Sequence, residues 1–417
     1  MNLAIYNFSF LIPLLPSLEC RSLQTMSLPS LILHPGKEQS LLRFHRWVFS
    51  GAVKTGLGLK DGTLCEIYSA KNQLLATAHY NEGSIVARIL SFGVITDLPA
   101  FYTAQLKQAF KLRQVLFPSG GKTNVFRLVH GEGDSLPGLI VDIYGQTAVL
   151  QAHSVGMFKD RKLIAQALVD ASEGRLSHVY SKSKDSLPGK LGMDVEDGFL
   201  IGKLEEESYE ENGIKFDIDF VQGQKTGFFV DQRENRALLG SYSKGKRVLN
   251  TFCYTGGFSM YALQNGASFV CSIDSSKRAM DMVERNLELN GFDQTKHECL
   301  AADVMEYIKD APFDFDIVVL DPPAFAKNIK NRHNALMAYK RLNEATFKRI
   351  LPQSLVFTFS CSQVVDAEAF EGAVRAAAIE AKRSVRILHR LRQPADHPVS
   401  IFHPEGEYLK GLVVYVE

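Results

Sequence analysis

The sequence predicts an α/β protein whose second half is a mostly parallel sheet with helices on both faces, preceded by a β-rich unit and a mixed α/β unit. Two patterns carry that reading. From Arg247 onward, "VLNTF", "FVCSIDSS", "DIVVLDPP" and "LVFTFSCS" are strands of the buried kind, separated by helical stretches such as "RAMDMVERNLELNG". Such alternation builds a parallel sheet. At the end, "SVRILHRLRQ" and "KGLVVYVE" are two strands with no full helix between them, which predicts an antiparallel hairpin at the sheet edge. With 417 residues the chain exceeds a single core, and 46% apolar and 22% charged residues are the proportions of a soluble globular protein.

The elements before Arg247 follow in order. "MNLAIYNFSFLIPLLPSLECRSLQTM" is apolar, but it has no basic residue before Arg21 and is interrupted by Pro13 and Pro16. It fits neither a secretory signal nor a membrane span, and 1–27 is read as an unstructured extension. Over 28–98, short alternating runs broken by Gly and Asp-Gly predict a small β-rich domain. Residues 99–207 form a middle α/β domain: helical spacing over 99–120, then strands in "NVFRLVHGEGDSLPGLIVDIYGQTAVLQA" and the helix "FKDRKLIAQALVDAS". "SYEENGIKFDIDF" holds Asn212-Gly213 between two alternating runs, a hairpin signal that opens the last domain, 208–417.

Composition narrows the function classes. The net charge of +1 gives no whole-chain signal for nucleic acid, so any such signal is local. The six cysteines are scattered, with no C-x-x-C pair and no Cys/His metal spacing. That predicts a reducing cytoplasm, with no metal and no membrane.

The candidate site lies at strand ends. "RVLN" opens into "TFCYTGGFSMYAL", a strand, Gly turn and helix whose spacing is not that of a dinucleotide fingerprint. Asp274, Asp303 and Asp321 then fall at the ends of the next three strands. In "DPPAF", Pro322 and Pro323 stiffen the backbone and leave carbonyls that can face a base's amino group, while Phe325 can stack on a base taken out of its helix. "LVFTFSCSQ" ends a buried strand in Cys361. Lys327, Lys330, Arg332, Lys340, Arg341, Lys348 and Arg349 face Glu344 alone, a basic lip beside that turn. A second basic stretch contains Lys107, Lys111, Arg113, Lys122 and Arg127.

"NTFCYTGGFS", "DSS", "ADVMEY" and "DPPAF" resemble the cofactor motifs of class I S-adenosylmethionine-dependent methyltransferases. With "GQKTGFFVDQRENR", "GEGDSLPGLIVDIYG" and "HPGKEQSLLRFHRWVFSGAV", the chain after Met26 resembles the bacterial 23S rRNA large-subunit methyltransferase I family. His45-Arg46-Trp47 stands where His-Pro-Trp is expected. The resemblance implies an N-terminal PUA RNA-binding domain, a middle α/β domain and a Rossmann-like catalytic domain with a seven-stranded sheet. It implies that Lys225, Thr226, Gly227, Phe229, Asp231 and Arg233 shape one wall of the cofactor pocket. Phe252, Cys253, Tyr254, Thr255 and Gly257 would pass under the methionine part, Asp274 with Ser275 would hold the ribose, and Asp303 the adenine amino group. The expected reaction is methyl transfer from S-adenosylmethionine to carbon 5 of a cytosine in 23S rRNA. Cys361 would add to carbon 6 and Asp321 would hold the base edge. Pro322, Pro323, Phe325, Lys327, Lys330 and Arg332 would contact the RNA, as could Arg46 and Trp47. Two readings stay open beside it: methylation of guanine N7 or an exocyclic amine, and a non-catalytic RNA-binding or ribosome-assembly factor. The oligomeric state, a homodimer among the options, is not fixed by these residues, and the roles of His397, His403, Glu407 and Tyr408 are open.

Overall fold

The computed structural model describes residues 28–117, 121–187, 195–326 and 328–417. The expected extension over 1–27 and the expected RNA-contacting Lys327 lie outside them. No helix among the described residues is long and apolar enough to cross a membrane.

Strands between Ser30 and Ser91 make a six-stranded sheet, antiparallel except where Ser30–Leu33 runs parallel to Leu64–Tyr68. Period-two alternation buries Leu31 with Leu33, Cys65 with Ile67 and Ala76 with Ala78 in one core. Helix Leu98–Leu116 follows, with Asp97 accepting from the Ala100 N–H at 2.9 Å as its N-cap. It packs with helix Arg161–Ser172 on one face of a five-stranded sheet, through Tyr102, Leu106, Phe110, Ile164 and Leu168. The single helix expected around 158–172 is two, Val155–Lys159 and Arg161–Ser172. They meet at Asp160, whose carboxylate is held by His79 at 2.9 Å and by Tyr102 at 2.7 Å.

On the other face lies the expected hairpin, Tyr209–Glu211 with Ile214–Phe216. Its Phe216, with Phe220 and Phe228, fills the space between Tyr144 and Val149 of the middle sheet and Val283 and Leu287 of the following unit.

That unit supplies the site. In chain order it comprises β1 (Arg247–Thr251), α1 (Gly257–Gln264), β2 (Phe269–Asp274), α2 (Lys277–Leu289), β3 (His297–Ala301), α3 (Val304–Asp310), β4 (Ile317–Leu320), α4 (Arg332–Arg349), β5 (Ser354–Ser360), α5 (Ala367–Ala381), β6 (Val385–Arg392) and β7 (Lys410–Val416). The seven strands lie in the order β3-β2-β1-β4-β5-β7-β6. The first five are parallel, and β7 runs antiparallel to both β5 and β6. Both sheet faces are covered, so the strands read as continuous apolar runs. Val318, Leu320 and Val356 face Tyr339, Phe347 and Phe370 of α4 and α5. Ile317, Val319 and Phe357 face Leu239 and Phe258 on the opposite side.

Candidate active site

Strand order reverses between β1 and β4, and the crevice at the carboxyl ends of such strands is where open α/β sheets bind ligands. A cavity of about 250 Å³ opens there. Phe252, Cys253, Tyr254, Thr255 and Gly257 line it from the β1–α1 turn, Asp274 and Ser275 from the end of β2. Asp321, Pro322 and Pro323 line it beyond β4, and Cys361 beyond β5. Lys225, Phe229 and Asp231 close it from the segment before β1.

The turn is sharply shaped. Gly256 has φ of +77°, and a Cβ there would sit 3.1 Å from Val283. Lys225, Phe252 and Tyr254 also take left-handed φ angles of 49°, 52° and 48°. Bulky residues adopt that region at a cost, and its recurrence along one wall marks a constrained binding surface. Asp274 fixes the turn to β2: its carboxylate accepts from the Tyr254 N–H at 3.1 Å and from the Ser276 N–H at 3.0 Å. The Tyr254 hydroxyl donates to the Gly227 carbonyl at 3.2 Å, and its ring meets Phe229 edge-on at 5.2 Å.

Several expected residues stand behind this surface rather than on it. Thr226 is buried and donates to Asp142 at 2.6 Å. Gly227 lies against Phe220, where a Cβ would come within 2.7 Å of the Phe220 Cα. Arg233 turns away from the cavity to pair with Asp396 at 2.9 Å. Gln232 and Arg236 line the cavity in its place. Asp303 is exposed and caps α3, accepting from the Glu306 N–H at 2.9 Å, which is the ordinary use of an aspartate before a helix.

The base side is more open. Pro322 is buried, Pro323 exposed, and Phe325 is 36% exposed with its ring 4.8 Å from that of Tyr339. Lys330 is exposed, whereas Arg332 pairs with Asp366. Much of the basic lip is likewise engaged: Lys340 pairs with Glu380, Lys348 with Glu344, and Arg349 donates to the Lys309 and Ala311 carbonyls. In the second basic stretch, Arg113 and Arg127 are committed to Asp134 and Asp142. Nor is Trp47 free for RNA, since its indole N–H donates to Glu132 at 2.7 Å, and Arg46 donates to the Ile89 and Leu90 carbonyls.

Electrostatics separate two of the aspartates that line the cavity, Asp231 and Asp321. Burial pushes Asp231 up, but Lys225, His397 and a 2.6 Å hydrogen bond from the Tyr408 hydroxyl more than offset it and leave its pKa lowered. Desolvation and the nearby Asp231 charge push Asp321 up to about 7, although Gln232 donates to it at 2.9 Å. Burial and the Asp321 carboxylate push the Cys361 thiol up to about 11. Cys253 also lines the cavity but is buried, and desolvation holds its thiol well above the usual range. Cys65, Cys271 and Cys299 pack in or against apolar cores.

Sequence reasoning missed what holds Cys361 in place. Ser360 donates to the Tyr339 hydroxyl at 2.9 Å, and Ser362 to the Ala326 carbonyl at 2.7 Å. Lys410 donates to the Ser362 and Val365 carbonyls, both at 2.6 Å. The only available signal was register, because Lys410 pairs with Ser360 across β7 and β5. The loop before β7 is also structural: Asp396 accepts from Arg233 and His397, and Tyr408 reaches Asp231.

The sheet order and a pocket at its switch point define a class I S-adenosylmethionine-dependent methyltransferase. The family model for S-adenosylmethionine-dependent methyltransferases matches residues 190–405, and that for PUA-like domains matches 31–92. Ribosomal RNA large subunit methyltransferase I of Aeromonas hydrophila is 38% identical over 395 residues, covering 92% of this chain and 98% of that protein. The Escherichia coli protein of the same name is 37% identical, with 93% and 99% covered. A solved chain described as a SAM-dependent methyltransferase from Streptococcus mutans shares the fold with a TM-score of 0.80 at 23% identity, covering 93% of this chain and all of that one. The chain belongs to the ribosomal RNA large subunit methyltransferase I family.

The residues present fit the cofactor this family uses. Asp231 Oδ1 and Asn250 Oδ1 are buried on cavity-lining residues and have no hydrogen-bond partner among the described residues, so both await a donor. The N-terminus of α1 and the Asp274 carboxylate offer the remaining polar contacts.

Proposed function

We propose that this protein methylates carbon 5 of a cytosine in 23S rRNA, in the cytoplasm, through a covalent Cys361 adduct. The observation that carries the reading is that Cys361 and Asp321 end adjacent parallel strands and line one cavity with Pro322 and Pro323. Asp231, Asn250, Asp274 and the β1–α1 turn would hold S-adenosylmethionine, which would supply an electrophilic methyl group and depart as S-adenosylhomocysteine. The Cys361 thiolate adds to carbon 6 of the base, and the 5,6 double bond's electrons move to make carbon 5 nucleophilic. Asp321, with its pKa near neutrality, donates a proton to N3 and neutralises the adduct. After methylation, the carbon-5 proton passes to solvent water, its C–H electrons restore the 5,6 double bond, Cys361 leaves as thiolate, and the N3 proton returns to Asp321.

The test is methyl transfer from labelled S-adenosylmethionine to unmodified 23S rRNA, with nucleoside digestion and mass spectrometry, for wild type and Cys361→Ala. The expected product is labelled 5-methylcytidine from wild type, with a loss on the order of a thousandfold or more in the variant. A different methylated nucleoside made equally by both would move the target to guanine N7 or an exocyclic amine. RNA binding without any labelled product would favour an assembly factor.

A further inference from the structure

The N-terminal sheet and the loop before β7 meet at a cluster that the methyl-transfer chemistry does not use. His45, His403 and Glu405 each offer one ligand atom, all within 4.8 Å of one another. His45 Nε2 lies 3.3 Å from one Glu405 oxygen, and His403 Nδ1 lies 3.7 Å from the other. The two imidazole rings are 4.7 Å apart, and the Trp47 ring sits 4.4 Å from that of His403, walling the cluster on one side.

His403 makes this more than a chance meeting of polar side chains. It is 1% exposed, yet neither ring nitrogen has a hydrogen-bond partner among the described residues. A buried polar group left unpaired is costly, so one that persists calls for a partner. A neutral imidazole with a free lone pair is what a metal ion takes as ligand. His45 is oriented for the same task. Its Nδ1 lies 3.3 Å from both the Trp47 carbonyl oxygen and the Trp47 backbone nitrogen, contacts that fix the ring with Nε2 facing Glu405. Arg46 is the unfavourable neighbour, but its guanidinium is tied to the Ile89 and Leu90 carbonyls, and Glu132 supplies a second negative charge. The half-exposed Glu405 leaves a path of entry.

We infer that His45, His403 and Glu405 form a binding site for one borderline divalent transition-metal ion, such as Zn²⁺, which clips the N-terminal PUA-like sheet to the C-terminal loop. Two imidazoles and a carboxylate suit Zn²⁺ or Co²⁺ in four-coordination, with water as the fourth ligand. The clip also bears on the methyltransferase pocket at a distance, since the loop it pins carries Tyr408, which bonds Asp231. The inference stands on its own and does not depend on the base that is methylated.

The experiment adds Co²⁺ to full-length protein stripped with a chelator and records the visible spectrum. Wild type is expected to take up a single equivalent with the d–d bands of a four-coordinate centre, and without the near-ultraviolet band of a Co²⁺–thiolate bond. His403→Phe, which keeps an aromatic ring beside Trp47, and Glu405→Gln, on the exposed member, should each weaken uptake at least about tenfold. Cys361→Ala should leave it unchanged. A spectrum identical to hydrated Co²⁺, or uptake that persists in Glu405→Gln, would overturn the inference. So would a thiolate band lost in Cys361→Ala, which would place the ion in the methyl-transfer cavity.

Discussion

Around the cofactor half of the cavity Asp231, Asp274 and Arg236 are each held by a neighbour, whereas the base-facing half ends in exposed Pro323, Phe325 and Lys330. Asp274 accepts two backbone N–H groups, Tyr408 holds Asp231, and Arg233 braces the wall from behind through Asp396. Side chains held in place before a ligand arrives lower the cost of binding it. A base attached to a polymer needs an open approach, so aromatic and cationic side chains remain in solvent there.

The bracing can be broken most directly at Asp396. It is fully buried, and burial is outweighed by His397 and Arg233, which hold its carboxyl well below the usual range. Asp396→Ala leaves the buried Arg233 without its main partner. It is expected to lose about 3–5 kcal/mol of stability in denaturant titration, with weaker cofactor binding. An unchanged midpoint would mean that the wall is not braced this way.

A sharper probe reads the two groups at the junction of the halves. With Asp321 near 7 and Cys361 near 11, the reactive form carries one proton between them. Below about pH 7 both groups are protonated, so kcat/KM should rise about tenfold per pH unit and then level off as Asp321 ionisation offsets thiolate formation. Asp321→Asn removes the lower ionisation, so its residual rate should keep rising past neutrality. A break near pH 7 retained in that variant would assign it to another group.

The smallest effect belongs to the open side. Lys330→Ala should lower the salt dependence of RNA binding by about one unit of slope and leave cofactor affinity unchanged. An altered cofactor affinity would join Lys330 to the other half of the cavity.

The same contrast separates what was legible in the sequence from what was not. The sheet, its terminal hairpin and the Asn212-Gly213 turn follow from periodicity and turn chemistry, which are local. Asp274, Asp321 and Gly257 line the cavity because strand direction puts strand ends there, whereas Asp303, picked by the same rule, caps α3 outside it. The burial of Arg233 against Asp396, the occupation of Arg113 and Arg127 by carboxylates, and the grip of Lys410 on the Cys361 turn were not legible. Each depends on a partner brought from far along the chain, and a charge in a sequence does not say whether it is already paired. Local spacing likewise gave no sign of His45 beside Glu405, which are 360 positions apart.

The most direct test of the central claim uses an rRNA fragment with 5-fluorocytidine at the target position, incubated with enzyme and S-adenosylmethionine. Fluorine cannot leave as a proton does, so the methylated adduct cannot collapse and the thioether to carbon 6 persists. Wild type is expected to give a protein–RNA complex that survives denaturing electrophoresis, is absent for Cys361→Ala, and yields a modified peptide containing Cys361. A wild-type enzyme that methylates the unsubstituted fragment but forms no such complex would contradict covalent catalysis by Cys361.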